Sequence, residues 1–286
     1  MVDRNLSRRS MLRGAAGAAA VGGAMLALPG VASAGGGHGH GHGHGSIPLH
    51  RISVQLYTLR SLLEKDLDGT LGALSDIGFR NVEMAGTYGR SAAEFRKILD
   101  KHRLRATSSH IGIDGDVNKL IEDAKTLGHR YSAVPWAKYA TKAEWQAFAE
   151  RLDKASRAFA KAGIQFGYHN HDHEFALVEG VRPFDILAKG TSSRYTHFEV
   201  DLYWAVVAGV DPVKLFREQR GRVLQYHVKD RGADGGWADV GTGNIDFRKI
   251  FDGTPGIREY IVEHDNPADP LKTAKVGFDY LRKVRF

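Results

Sequence analysis

The chain of 286 residues contains no cysteine. This absence excludes disulfide bridges, thiolate metal sites, iron–sulfur clusters and a cysteine nucleophile. Beyond residue 34, no apolar run reaches the roughly 18 residues that a membrane-spanning helix needs. We therefore expect no membrane span, and His, Asp, Glu, Lys and Tyr are the side chains left to carry chemistry.

Charge of one sign is not concentrated in the main part of the chain. The formal net charge is +7, but residues 1–34 hold four arginines and one aspartate, which leaves +4 for the rest. Nucleic-acid-binding proteins gather basic residues in a stripe with aromatics between them. Here Lys and Arg are scattered beside Asp and Glu, so we expect no nucleic-acid partner. The 42% hydrophobic and 26% charged residues are typical of a globular protein with a core.

Residues 1–34 have the three parts of an export signal. A basic start with the paired Arg8 and Arg9 precedes a weakly apolar stretch, Gly14–Leu28, and a small-x-small end, Ala32–Ala34. Paired arginines before a weakly hydrophobic middle are typical of the twin-arginine type. We therefore predict export by the twin-arginine pathway and a periplasmic or extracellular location.

Residues 35–46 form a segment rich in glycine and histidine. Single glycines separate His38, His40, His42 and His44, and glycine at every second position disfavours regular structure, so we expect a flexible linker. Imidazoles so closely spaced can also chelate Zn, Cu or Ni loosely. The composition does not decide whether this segment is only a tether or also binds metal.

From residue 47 to residue 286, short β-branched runs alternate with amphipathic stretches. The predicted strands are Ile52–Leu56, Asn81–Met84, Arg105–Ser109, Tyr131–Val134, Gln165–His169, Thr196–Asp201, Val223–Val228 and Tyr260–Glu263. The predicted helices are Leu67–Ile77, Ala92–His102, Asn118–Leu127, Lys142–Ala162, Pro183–Ala188, Pro212–Gln219, Phe247–Phe251 and Leu271–Val284. Strand–helix alternation indicates a parallel sheet, because parallel strands need a crossover connection.

Eight strand–helix units of this length fit one (β/α)8 barrel, a TIM barrel, over residues 47–286. A doubly wound open sheet is the competing fold. It usually shows a glycine-rich phosphate turn after an early strand, whereas Tyr57–Arg60 follow the first strand here. We therefore predict a single TIM barrel.

Carboxylates and imidazoles recur where the predicted strands end, and a barrel has its active site at that edge. Glu83 ends the second strand, and His110 follows the third. Others end or follow the later strands: His169, His171, His173, Glu174, Glu199, Asp201, His227, Asp230, Glu263, His264 and Asp265. Such groups are costly to bury unless they are paired or bind a metal. The whole set favours a functional site over a row of exposed loop residues.

The alternation of side chains along a strand narrows this set. If the corresponding faces point into the barrel, Asp201, His227 and Glu263 lie at similar heights around its axis. Two carboxylates and one imidazole, with open positions left over, suit a divalent Mn, Mg, Co, Fe or Zn ion. The sequence therefore predicts a divalent metal site with these three ligands.

Six short segments stand in the order and spacing of a known protein family. They are Val54–Arg60, Gly78–Glu83, Tyr168–His171, Phe198–Asp201, His227–Asp230 and Ile261–Glu263. In these segments the chain, from Ile52 onward, resembles the xylose isomerase-like sugar isomerase/epimerase superfamily. The resemblance implies a metal-binding TIM barrel that acts on a sugar or keto-sugar.

The resemblance also implies four metal ligands, usually Glu, Asp, His and Glu from strands five to eight. The last three correspond to Asp201, His227 and Glu263. His169 stands where the first carboxylate is usual, and a branch that includes inosose dehydratase-like proteins also has histidines here. Glu174, just beyond the strand, is the other candidate. The fourth ligand thus stays open between His169 and Glu174, as does the mechanism in which two glutamates exchange protons.

A divalent ion that bridges a carbonyl and a neighbouring hydroxyl stabilises an enediolate, while a positioned base moves the proton. Reprotonation then isomerises or epimerises the sugar, and loss of a β-hydroxyl dehydrates it. We expect His171 or His169 as the proton-transfer group and Lys229 as a donor to a substrate oxygen. Glu263 is predicted to be catalytic as well as a metal ligand.

Glu83, His110, Trp136 and Trp204 are the predicted substrate contacts, since flat aromatic rings suit the apolar faces of sugars. Packing in the core is the other interpretation of the two tryptophans. The predicted function is a divalent-metal-dependent sugar isomerase or epimerase. A lyase or hydratase of 3-keto sugars or glycosides, and a non-catalytic binder of sugar or metal outside the cytoplasm, are the alternatives. The sequence leaves the oligomeric state open.

Overall fold

The structure, a computed structural model, describes residues 45–286. The predicted export signal, residues 1–34, and residues 35–44 of the predicted linker lie outside the described residues and stay predictions. The described part begins at Gly45, whose backbone pairs with that of Phe286 in both directions.

Ten strands lie within the described residues. They are β1 Ile52–Gln55, β2 Asn81–Met84, β3 Arg105–Ser109, β4 Tyr131–Val134, β5 Gln165–His169, β6 Thr196–Asp201, β7 Val223–Val228, β8 Asp230–Arg231, β9 Trp237–Ala238 and β10 Glu259–Val262. β8 and β9 pair as a small antiparallel hairpin. The other eight form one parallel sheet in the order β3-β2-β1-β10-β7-β6-β5-β4.

The sheet curls into a barrel that closes between β3 and β4. The backbone N–H of Ile111 donates to the carbonyl of Ala133 over 3.0 Å, and that of Arg130 donates to Thr107 over 2.8 Å. Helices follow the strands on the outside, so the predicted TIM barrel is confirmed.

Ten α-helices lie between residues 45 and 286. They are α1 Arg60–Leu63, α2 Leu67–Ile77, α3 Ala92–Lys101, α4 Val117–Leu127, α5 Lys142–Lys161, α6 Pro183–Gly190, α7 Leu202–Val207, α8 Pro212–Glu218, α9 Phe247–Gly253 and α10 Pro270–Lys283. The eight predicted helices all form, with ends within two residues of the prediction. None of the described helices is long and apolar enough to cross a membrane.

Local capping sets several helix ends. The side chain of Ser91 accepts a hydrogen bond from the backbone of Glu94, whose carboxylate accepts one from the backbone of Ser91, and Thr141 and Glu144 repeat this exchange at α5. At the other end of a helix, Gly128 stops α4 in a left-handed conformation with φ of 87°. These contacts fix where α3 and α5 begin and where α4 ends.

The lower part of the barrel interior is polar. Glu259 accepts a hydrogen bond from Thr107 over 2.5 Å and one from the side-chain amide of Gln225 over 3.0 Å. His197 and the Gln225 carbonyl oxygen are 3.0 Å apart. Burial raises the pKa of the Glu259 carboxyl to about 7. These contacts span the barrel and form a buried layer that depends on hydrogen bonds.

Glu259 makes a testable contribution to stability. Because its pKa is higher in the folded chain than the ordinary 4.5, this contribution is fully present below about pH 4.5 and is lost as the pH rises through about 7. Glu259→Gln keeps the shape and stays neutral. We expect the stability difference between Glu259→Gln and the wild type to grow in favour of the variant by about 1–3 kcal/mol between pH 5 and pH 8.

Urea unfolding at several pH values measures this difference. The exposed Glu150 provides a matched control, because Glu150→Gln removes the same charge at the surface. A stability difference for Glu259→Gln that stays constant with pH would contradict the expectation.

Candidate active site

A cavity of about 640 Å³ opens at the carboxyl ends of the barrel strands. Its lining residues come directly after strands: Tyr57 follows β1, His110 follows β3, and Trp136 follows β4. His171 after β5 and Lys229 after β7 complete the wall. The cavity therefore lies at the edge where TIM barrels hold their active sites.

Four buried side chains converge beside this cavity. His169, Asp201, His227 and Glu263 each offer one donor atom, and these atoms all lie within 4.8 Å of one another. The register of the sheet explains the convergence, because Asp201 and His227 are direct neighbours on β6 and β7. The predicted meeting of three side chains is present in the structure, with His169 as the fourth member. Their role as metal ligands stays a prediction.

The hydrogen bonds of His227 indicate that these donors fit a cation. Its Nε2 lies 2.6 Å from Glu83 Oε1, and its Nδ1 lies 2.7 Å from Glu263 Oε2. A neutral imidazole that donates from Nε2 turns the Nδ1 lone pair toward the Glu263 carboxylate. Two acceptors at this distance need a proton or a cation between them. Burial acts to lower the pKa of His227, but the carboxylates of Glu263, Glu199 and Glu83 raise it well above its usual value, so a proton fills this place until a cation replaces it. A carboxylate that orients a ligating histidine through its other nitrogen is a usual feature of metal sites.

An unpaired nitrogen in the same cluster supports this fit. His169 Nε2 is buried and makes no hydrogen bond to any described residue, and it lies 3.6 Å from Asp201 Oδ2. The other Asp201 oxygen caps α7 by accepting the backbone N–H of Trp204 over 3.0 Å. The cap fixes the carboxylate so that Oδ2 faces the cluster.

Lys229 is a buried cation beside the donor cluster. Its Nζ lies 2.8 Å from Glu263 Oε2, 3.0 Å from Asp201 Oδ2 and 2.8 Å from Asp265 Oδ1. Burial acts to lower the pKa of the lysine, but the three carboxylates outweigh it and raise the pKa above its usual value. Lys229 is therefore a protonated hydrogen-bond donor at the cavity. It does not pair with Asp230, whose carboxylate accepts backbone N–H groups of the following loop.

His171 presents a neutral ring to the cavity. Burial, together with the neighbouring His169, lowers the pKa of its imidazole to about 2. Its Nδ1 makes no hydrogen bond to any residue from 45 to 286, and the ring stands edge-on to Trp136 at a centroid distance of 4.7 Å. The neutral ring thus brings one nitrogen lone pair to the wall of the cavity.

The remaining predicted site residues lie in different places. His110 and the half-exposed Trp136 line the cavity, whereas Trp204 stacks beside it, with the Lys229 ammonium 5.6 Å from its ring. Glu83 is fully buried beneath His227, and its carboxylate accepts from Gln55 over 2.7 Å. Glu83 is therefore held by neighbouring side chains and does not line the cavity.

Of the two candidates for the fourth donor, the structure brings His169 and not Glu174 to the cluster. The buried Glu174 carboxylate accepts the Tyr168 hydroxyl over 2.6 Å and the backbone N–H of His171 over 2.8 Å. Through these bonds Glu174 stabilises the loop that carries His171, and its carboxylate does not reach the cluster.

Three residues at the site received no specific role from the sequence, although Asp265 and Glu199 stood among the polar residues at the strand ends. Trp237, on the β8–β9 hairpin, lines the cavity and is 40% exposed. Asp265 pairs with Lys229. It stands two residues after Glu263, and strand alternation predicts that two such residues share a face. Glu199, two residues before Asp201, is fully buried. Burial and the adjacent Glu83 raise the pKa of Glu199 to about 8.

The fold and the site define a (β/α)8 barrel with a buried set of carboxylate and imidazole donors at the carboxyl ends of its strands. Residues 71–284 match the xylose isomerase-like TIM barrel family. The chain belongs to this family, which confirms the resemblance drawn from its sequence.

Individual relatives span most of the chain. It is 23% identical to the rhizopine catabolism protein MocC of Rhizobium meliloti over 267 residues, covering 76% of this chain and 81% of the relative. It is 27% identical to a sugar phosphate isomerase/epimerase from Parabacteroides distasonis, with a TM-score of 0.70 and coverage of 82% and 98%. The 3-keto-D-glucoside 4-epimerase of E. coli shares the fold, with 13% identity, a TM-score of 0.63 and coverage of 82% and 99%.

Proposed function

We propose that the protein is a divalent-metal-dependent sugar isomerase or epimerase that moves a proton at the carbon next to a carbonyl. The observation that carries the proposal is that the four donors converge beside the cavity whose wall holds the protonated Lys229 and the neutral His171. Family membership and the similarity to a sugar phosphate isomerase/epimerase support a sugar-modifying enzyme.

In this proposal His169, Asp201, His227 and Glu263 hold the cation. When bound, a divalent ion polarises a carbonyl and a neighbouring hydroxyl and so makes the intervening C–H acidic. The protein donors supply two negative charges and two neutral imidazoles. Such a mixed oxygen and nitrogen set accepts Mn, Fe, Co or Zn.

The proton itself is moved by side chains of the cavity wall. His171 accepts the proton of the carbon next to the carbonyl and returns it to the neighbouring carbon on the same face, which isomerises the sugar. Epimerisation needs a second proton donor on the opposite face, and Lys229 is the protonated group of the cavity wall. Lys229 donates a hydrogen bond to the substrate oxygen on which negative charge grows. Asp201, Glu263 and Asp265 keep that ammonium charged and fixed in place, so no reorganisation is needed during the reaction.

A lyase or hydratase of 3-keto sugars or glycosides is the second candidate, and the residue at position 169 favours it. Because His169 replaces a carboxylate there, Glu263 has no opposing strand-five glutamate with which to exchange protons. One base, His171, and one donor, Lys229, are the pair that an elimination needs. The base takes the proton, and the ammonium assists the departing hydroxyl or aglycone.

Product analysis separates these reactions. The manganese-loaded protein is incubated with D-fructose, L-ribulose and methyl 3-keto-glucoside, and the products are identified by NMR. A new ketose or epimer supports the isomerase, and loss of water or methanol supports the lyase. Turnover of none of these substrates, with sugar binding retained, would support the non-catalytic binder.

Export remains part of the proposal. The paired arginines before the weakly apolar segment of residues 1–34 support the twin-arginine route. Fractionation of cells that express the full chain tests it. We expect the mature protein outside the cytoplasm, and we expect it to stay in the cytoplasm after Arg8 and Arg9 are both changed to Lys.

Trp136 is expected to contribute to substrate binding without taking part in the reaction. Its ring is 52% exposed at the cavity mouth, where it can cover the apolar face of a sugar. We expect Trp136→Ala to raise KM about tenfold with kcat nearly unchanged, because contact energy lost equally from substrate and transition state appears only in KM. Steady-state kinetics measures both, Trp136→Phe should recover most of the loss, and a large fall in kcat would contradict this role.

A further inference from the structure

We propose a second divalent-cation site deeper in the barrel, formed by Glu83, His110 and Glu199 and adjoining the first site at His227. One donor atom from each of these three residues lies within 4.8 Å of the others. The ligand is a divalent cation of the Mn, Fe, Co or Zn type, since two carboxylates and one imidazole are donors that these ions accept.

The distances among these side chains describe a compact donor set. His110 Nε2 lies 2.7 Å from Glu199 Oε2 and 3.3 Å from Glu83 Oε1. His227 borders this set: its Nε2, which donates to the same Glu83 oxygen over 2.6 Å, lies 3.4 Å from Glu199 Oε2. Separations of about 3 Å between donors are those of atoms that share one ion at about 2.1 Å. Two strands, β2 and β6, and the residue after β3 thus point one donor each at a common centre.

Unpaired carboxylate oxygens provide an independent observation. Glu83 Oε2 and Glu199 Oε1 are buried, and neither makes a hydrogen bond to any residue within 45–286. Both side chains are 0% exposed. An ionised carboxylate oxygen without a partner costs several kcal/mol in such a position. A cation that the two carboxylates share removes this cost.

The balance of charge points the same way. Among the described residues, Glu83 and Glu199 form ion pairs only with His110 and His227, and the nearby Lys229 is engaged with Asp201, Glu263 and Asp265. If His227 turns Nδ1 toward the first cation, its ring is neutral, and in this respect the second site rests on the proposed function. When both carboxylates are ionised, two buried negative charges then face one imidazole, that of His110. A divalent cation balances them, and a proton shared between the carboxylates is the competing arrangement.

Anomalous diffraction decides between these arrangements. Crystals of the full chain grown with MnCl2 are expected to show two manganese peaks, one among His169, Asp201, His227 and Glu263 and one among Glu83, His110 and Glu199. The method places each ion, so metal held by the histidines of residues 35–46 does not enter the count. Glu199→Gln should lose only the second peak. Glu174→Gln, which changes another fully buried carboxylate, should keep both.

The outcomes also separate this inference from the proposed function. A single peak at the first site would overturn the second site, assign a shared proton to Glu83 and Glu199, and leave the proposed function standing. No peak at either site would contradict both. If Glu199→Gln does not fold, the Mn EPR spectrum of the wild type in solution decides. Two manganese ions on either side of His227 are close enough for their spins to couple and change the spectrum, and isolated six-line signals alone would overturn the proposal.

Discussion

Asp201→Asn is expected to lower kcat/KM by about a thousandfold and to weaken activation by Mn²⁺. The substitution keeps the shape of the side chain but removes one of two negative charges from the proposed donor set. Loss of about 4 kcal/mol of transition-state stabilisation corresponds to a thousandfold change in rate. Kinetics across a range of MnCl2 concentrations measures both quantities.

The fold should survive this change, since asparagine caps a helix as well as aspartate does. Asp201 caps α7 through Oδ1, and the side-chain carbonyl oxygen of an asparagine can accept the same backbone N–H. Asp211 provides a matched control, because it caps α8 by accepting from Val213 over 2.8 Å and is exposed. Asp211→Asn should leave kcat/KM and manganese activation unchanged. If Asp201→Asn keeps the kcat/KM and the manganese activation of the wild type, Asp201 is not a ligand of the proposed metal site.

His171→Gln is expected to lower kcat by about a hundredfold to ten thousandfold, the range over which a positioned proton-transfer group contributes. The neutral ring of His171 faces the cavity but is not among the four converging donors. The concentration of Mn²⁺ that gives half-maximal activity should therefore not change. This combination distinguishes a proton-transfer group from a metal ligand.

His173 offers the control for this prediction. It is two residues away, its Nε2 lies 2.8 Å from the carbonyl of Ala137, and its ring packs on Trp136. His173→Gln should change kcat by a small factor at most. Equal losses from His171→Gln and His173→Gln would indicate a structural role for this loop, and a weakened response to Mn²⁺ in His171→Gln would place His171 among the ligands.

The fold was largely predictable because a parallel barrel repeats one pattern. β-branched runs that end in polar residues located the barrel strands, and Gly128 and similar residues marked the ends of helices. The short helix α7, Leu202–Val207, was missed because its six residues follow β6 directly and are too few to show a helical period. The β8–β9 hairpin was missed as well, since two strands of two residues each carry no periodic signal.

The sequence predicted a site residue correctly where the alternation of side chains along a strand determines whether that residue points into the barrel. That rule brought Asp201, His227 and Glu263 together, and the structure shows them so. It could not choose between His169 and Glu174, because the choice depends on a hydrogen bond from Tyr168 that forms only in three dimensions. Strand alternation also does not show how far below the cavity a side chain lies along the barrel axis. Glu83 was therefore predicted at the cavity, although it lies beneath His227.

The central claim is that a divalent cation held by His169, Asp201, His227 and Glu263 makes a sugar C–H acidic, and that the protein moves this proton. Incubation of the manganese-loaded protein with the same keto-sugars in D2O, followed by NMR, tests the claim most directly. We predict that deuterium enters at a carbon next to the carbonyl, that chelation stops the exchange, and that added Mn²⁺ restores it. Absence of exchange in every sugar, or exchange that persists after chelation, would contradict the claim.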